Sequence, residues 1–148
     1  MAFEYRFQVK APVAAVRAFH GSTEVLRELT PPGTWVEIHR FGALEDGMEA
    51  EFTLWLGPIP IRWHALHRDV DAFGFTDVQV QGPMARWEHT HRFVSVDENT
   101  TEVREHIELE HPRGLRGVWT RLLFGGLALR GLFAYRAWVT RRKAPAFG

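Results

Sequence analysis

The stretch Trp87-Glu88-His89-Thr90-His91-Arg92-Phe93-Val94-Ser95-Val96, then Asp97-Glu98-Asn99, then Thr101-Glu102-Val103-Arg104-Glu105-His106-Ile107-Glu108-Leu109, decides the fold. In a strand, residues two apart share a face. Trp87, His89, His91 and Phe93 therefore point one way, and the aromatic ends make that way inward. Val103, Glu105, Ile107 and Leu109 form the matching face of a second strand. Asp97-Glu98-Asn99 is turn chemistry. The reading is an antiparallel hairpin, Arg86 to Val96 and Thr101 to Glu110, with an apolar inner face broken by a few polar groups.

The same pattern extends toward the N-terminus. Gly82-Pro83 precedes the hairpin, Phe75 to Gln81 reads as a strand, and Phe73-Gly74 leads into it. Ile61 to Val70 follows Gly57-Pro58. Met48 to Leu56 alternates Ala50, Phe52 and Leu54 against Glu49, Glu51 and Thr53. Glu45-Asp46-Gly47 joins it to Trp35 to Phe41. Evenly spaced strands with short turns predict an antiparallel meander. Ahead of it, Phe3, Tyr5, Phe7 and Val9 alternate with Glu4, Arg6, Gln8 and Lys10 as a first strand. Ala11-Pro12 then opens a short helix, Val13 to His20. Gly21 breaks it, Ser22 is placed to cap a second from Glu24 to Leu29, and Thr30-Pro31-Pro32-Gly33 stops that.

After Pro112 the period becomes helical. Leu115, Val118, Trp119, Leu122, Leu129 and Phe133 fall on one side of a helix running to about Arg142, roughly 40 Å long at ~1.5 Å per residue. Phe124, Leu127, Tyr135 and Trp138 form a second apolar stripe. Glycines, including Gly125 and Gly126, weaken this helix by roughly 1 kcal/mol each, so tertiary packing must hold it. Ala144 to Gly148 reads as a loose end. The expectation is an α+β chain, β-α-α-β6-α: a curved seven-stranded sheet with one buried face covered by the last helix. Where sheet and helix part, a cavity forms.

Composition narrows the chemistry. At 148 residues, one domain over 1–148 with one core is expected. Without cysteine there is no disulfide frame, thiolate metal site or cysteine nucleophile, and a cytoplasmic location is expected. Met1 to Arg6 lacks the features of a signal peptide. Leu122 to Val139, interrupted by Arg130 and Arg136, is read as no membrane span. All 18 acidic residues lie at or before Glu110, while the C-terminal helix carries Arg113, Arg116, Arg121, Arg130, Arg136, Arg141, Arg142 and Lys143. That basic segment either balances the acidic body or meets an acidic partner, a second subunit of a homodimer, or an anionic membrane surface. Acidic strands argue against nucleic acid. No Gly-x-Ser-x-Gly elbow or phosphate loop is present.

Several segments carry a resemblance. Arg62-Trp63, Gly74-Phe75-Thr76-Asp77-Val78-Gln79, Gly82-Pro83 and Trp87-Glu88-His89-Thr90-His91-Arg92-Phe93 resemble the SRPBCC superfamily, in its bacterial polyketide cyclase/dehydrase-like, START-related branch. Ala11 to Val16, Leu29 to Pro32 and Phe133-Ala134-Tyr135-Arg136 resemble it too. The resemblance implies a helix-grip fold around a cavity for a lipid, polyketide or sterol-like molecule. It implies no cofactor and no metal.

Candidate ligand-binding residues follow from shared faces. They are Phe52, Trp63, Phe75, Asp77, Gln79, Trp87, His89, His91 and Glu105 on the strands, with Trp119, Leu122, Leu129 and Phe133 on the helix. A few placed polar groups among apolar walls suit a specific ligand. The same groups suit a purely structural network, in which Arg136 neutralises a carboxylate. If the chain is an enzyme, Asp77, His89 and His91 are its acid-base groups, acting as a cyclase or dehydratase. His89-x-His91 with a carboxylate could also offer ligands to a metal, although none is assigned.

Overall fold

The computed structural model describes residues 1–40 and 42–147. The elements are β1 (Ala2–Val9), α1 (Val13–Phe19), α2 (Val25–Leu29), β2 (Thr34–Arg40), β3 (Glu49–Leu56), β4 (Ile59–Asp71), β5 (Gly74–Gln81), β6 (Arg86–Asp97), β7 (Thr100–Glu110), α3 (Leu115–Phe124) and α4 (Gly126–Lys143). The chain ends in a 3₁₀ turn, Ala144–Phe147. Phe41, read from sequence as the end of a strand, lies outside the described residues.

The seven strands form one antiparallel sheet in the order β1-β7-β6-β5-β4-β3-β2. The meander pairs in sequence, and β1 closes the far side against β7. The strand register decides the interior. Asp77 stands opposite His89, and His91 stands opposite Glu105. All four therefore project from three adjacent strands onto the same inner face. Gly74 makes part of this alignment: at φ 152°, a Cβ there would sit 2.1 Å from the His91 carbonyl oxygen. Only glycine permits that approach.

The inner face carries two apolar clusters. Phe7, Val9, Val16, Phe19, Phe75 and Phe93 build one with α1 and the end of α4. Trp63, Trp87, Ile107, Leu109, Phe124 and Phe133 build the other. Along β6 the order Trp87, His89, His91, Phe93 runs from the second cluster to the first, so the histidines sit between them.

Three local expectations are corrected. The C-terminal helix is broken at Gly125, whose extended backbone (φ −74°, ψ 170°) ends α3 and starts α4. A Cβ at Gly125 would lie 2.2 Å from the Arg121 carbonyl oxygen, so the break depends on glycine. The tail is not loose over Ala144–Phe147: Ala144 is buried and the Phe147 ring meets Phe19 edge-on at 5.4 Å, while Gly148 lies outside the described residues. No side chain caps α2, so Ser22 does not do so. By length and composition alone Leu115–Phe147 is long and apolar enough to cross a membrane. In this fold, however, α4 turns Leu129, Phe133, Ala137, Val139 and Thr140 into the core.

Candidate functional site

Between the sheet and α2 and α4 lies a cavity of about 150 Å³. One end is apolar, walled by Phe52, Leu54, Trp63, Trp87, Phe124 and Phe133. The Phe52 and Trp63 rings stack 6.3 Å apart, and Trp87 meets Trp63 edge-on at 5.3 Å. The other end is polar, formed by His20, His67, Asp77, His89, His91 and Arg136.

The polar end is built as a stack. Phe75 lies on His91 at 4.1 Å and His91 on His89 at 3.8 Å, nearly parallel in both cases. His89 Nε2 donates to Glu105 Oε2 at 2.6 Å, and His91 Nε2 donates to Asp77 Oδ2 at 2.8 Å. Both bonds are diagonals of the strand register. His91 Nδ1 also lies 2.9 Å from Glu105 Oε2, an ion-pair distance. That nitrogen is not aligned for a hydrogen bond and has no other partner.

Burial penalises every charge here, and the neighbours decide which survive. Burial alone would lower the His91 pKa, but Glu105 and Asp77 overcome it and raise it to about 9. His89 goes down, through burial and the charge on His91. His20 falls to about 4, chiefly through burial. Its Nδ1 lies 2.8 Å from the Val16 carbonyl, leaving Nε2 without a proton. Burial would raise both carboxyls, yet the adjoining histidines hold Glu105 and Asp77 below their ordinary values. Burial lowers the Arg136 pKa against the pull of Glu105 and Asp77, and its guanidinium, 5.3 Å from the Phe133 ring centroid, stays a cation. Near neutral pH two carboxylates thus face two cations, His91 and Arg136, with His89 and His20 neutral.

Asp77, His89 and His91 can each direct one ligand atom to a common point, those atoms lying within 4.8 Å of one another. A metal there would have to displace the proton of His91 and break two short hydrogen bonds. As it stands, both Nε2 atoms already have carboxylate partners, while His91 Nδ1 has no hydrogen bond.

Of the residues singled out from the sequence, Phe52, Trp63, Phe75, Asp77, Trp87, His89, His91 and Phe133 line the cavity. Glu105 is buried and reaches the histidines from β7 without lining it. Leu129 is wholly buried in the core beside it. Gln79 does not reach it: its side-chain amide bonds the Met84 backbone N–H and C=O at 3.0 and 2.8 Å, bracing the β5–β6 turn. Trp119 and Leu122 face away and are exposed, at 60% and 67%. Phe124, assigned to the outer stripe, takes their place. His20 and His67 were missed. Their only sequence signal was position, one at the end of a short helix and one on a strand without its partner in view.

No protein-family profile matches the chain, and neither does any curated protein. Solved structures do. An aromatase/cyclase, Zhui, from a Streptomyces species aligns with TM-score 0.73 and 14% identity, over 97% of this chain and 93% of its own. A START superfamily protein from Mycobacterium smegmatis aligns with TM-score 0.71 and 10% identity, over 99% of each. Norcoclaurine synthase from Thalictrum flavum, in complex with dopamine and hydroxybenzaldehyde, gives TM-score 0.67 and 15% identity over 96% and 84%. The fold is therefore the helix-grip fold, SRPBCC-, START- and Bet v 1-like. At such low identity the likeness is one of fold.

Proposed function

We propose that this chain binds a small apolar molecule in the cavity and orients its carbonyl or hydroxyl against the polar end. The observation that carries this reading is one continuous space with an aromatic end and an ordered end of His20, Asp77, His89 and His91. Its size narrows the ligand. About 150 Å³ is the scale of a cavity that holds a single benzene-sized ring. A one-ring compound or a short acyl chain fits, as does one ring of a larger polyketide. A fused-ring sterol requires the walls to part. Norcoclaurine synthase is seen with dopamine and hydroxybenzaldehyde, both one-ring compounds, which supports the same scale here.

Native mass spectrometry of freshly purified protein, with tryptophan-fluorescence titration by one-ring phenols, short fatty acids and a sterol, tests the reading. Saturable binding of a one-ring or short-chain compound is expected, lost when Ala65→Leu fills the space beside Trp63. A protein that binds none of the panel would end the proposal.

A second reading, a cyclase or dehydratase, is favoured by the opposite shifts of two stacked histidines. Environments that push two titratable groups apart create an acid and a base. Neutral His89 gives its Nε2–H to Glu105 and keeps Nδ1 as an acceptor, the arrangement of a base oriented by a carboxylate. Protonated His91 is the acid, and Asp77, the more open carboxylate, holds it. Removing a proton beside a ketone and supporting the resulting enolate needs no more than these groups. His89→Gln should abolish turnover of a short poly-β-ketone while ligand binding persists. Wild-type protein without turnover on such substrates is a binder only.

A further inference from the structure

An α-helix turns ~100° per residue, which sorts α3 into two faces. Gly117, Thr120 and Phe124 fall within one narrow arc, and they are its buried residues. Leu115, Val118, Trp119 and Leu122 fall on the opposite arc and stand in solvent, Leu115 at 83% and Val118 at 62% exposure. Arg116 and Arg121 occupy the two borders between the arcs and are exposed as well. Two residues beyond the break, Leu127 is 90% exposed. Four bulky apolar side chains on a ten-residue helix are more than scattered surface residues account for.

We infer that this face of α3 docks on an anionic lipid bilayer. A short helix with an apolar arc and arginines on both borders can lie in the interface, its apolar side chains in the acyl boundary. The arginine stems reach back to the lipid phosphates. A tryptophan amid the arc suits the headgroup level. Charge selects this occupant over a second copy of the chain. A two-fold dimer through this face would set Arg113, Arg116 and Arg121 against the same residues of the other copy. No residue after Glu110 is acidic, so neither α3 nor α4 could answer those charges. A bilayer with anionic lipids answers them all. The most apolar part of the segment agrees, since only 28% of that window is buried within the fold.

The test is flotation of the full chain with phosphatidylcholine vesicles, with and without phosphatidylglycerol. Wild-type protein should float with the anionic vesicles, weakly with the neutral ones, and come off as salt screens the arginines. Trp119→Glu/Leu122→Glu should lose at least tenfold in partitioning, and Arg116→Glu about tenfold. The altered side chains are exposed and off the cavity wall, so melting curves and ligand binding should match wild type. Wild-type protein that ignores anionic vesicles would overturn the inference, as would a double variant that floats undiminished. Light scattering that finds a wild-type dimer split by Leu122→Glu would instead assign the face to a second copy. Capture of an acidic protein without vesicle binding would overturn it equally.

Discussion

Strand β7 carries a histidine–carboxylate group on each face, and their bond lengths hardly differ. Outside, His106 Nδ1 lies 3.1 Å from Glu4 and its Nε2 2.8 Å from Glu108. Inside, the His89–Glu105 and His91–Asp77 bonds are 2.6 and 2.8 Å. What differs is the medium. The outer side chains are 39% and 41% exposed for His106 and Glu108, against 4% and 6% for His89 and Glu105. Water screens the first group, and such exposed pairs contribute little to stability. The second group has only itself, so each charge is held by a neighbour or not held at all. Both groups raise a histidine pKa, but only inside is a second histidine lowered beside it. An acid and a base side by side arise from burial, not from the bond.

Removing the inner counter-charge should have the largest effect. Glu105→Gln leaves the His91 cation buried with one carboxylate instead of two, and should cost ~3–5 kcal/mol in urea unfolding. The more open Asp77, changed to Asn, should cost less, ~1–3 kcal/mol. If the two variants cost the same, depth does not set the energy and the comparison breaks.

The pH profile sharpens it. His91 is raised from 6.5 to about 9, so its contribution is full below 6.5 and is lost as pH climbs through 9. The slope between is at most ~1.4 kcal/mol per pH unit. His20 is lowered to about 4, so its contribution is full above 6.5 and is lost as pH falls through 4. The lowered His89, Asp77 and Glu105 add to that acid limb. Unfolding free energy should therefore peak near pH 6.5, and His91→Gln should remove the alkaline limb and, because the His91 charge helps to hold His89, Asp77 and Glu105 down, shrink the acid limb as well. A wild-type profile flat from neutral to alkaline pH would contradict the assignment. The smallest effect belongs to the outer group: His106→Ala should move the melting temperature by no more than about 2 °C.

Much of this was legible in the sequence, for reasons that also mark where reading stops. The meander could be read because a strand's period of two leaves no choice of face: once Trp87 and Phe93 point inward, His89 and His91 must follow. Glu105 and Asp77 came with them through the register of neighbouring strands. The helix offered no such certainty. Two apolar stripes ran along it, and nothing in the periodicity says which stripe the sheet will take. The break at Gly125 resets the phase, so Phe124 faces in while Trp119 and Leu122 face out. Gln79 sits on the inward-facing register but is drawn aside by the turn at Gly82-Pro83. His20 and His67 join the polar end only because α1 and β4 pack where they do. The volume of the cavity depends on how rings interlock, and no pattern of residues encodes it directly.

The break at Gly125 also divides the C-terminal segment by how firmly it is fastened. The second helix is sewn into both apolar clusters. The first is held by the Thr120–His111 hydrogen bond at 2.9 Å, by Gly117 against the Pro112 backbone, and by the Phe124 ring between Trp63 and Trp87. Its detachment would cost those contacts and the packing of half-buried Leu123, so its amides should exchange with solvent ahead of its neighbour's. Phe124 is at once the latch of that helix and a wall of the cavity. When the latch lifts, the aromatic end opens to the outside while the histidine stack stays anchored on the sheet. A molecule could then enter or leave through a door that swings at one glycine, without disturbing the charges gathered at the other end.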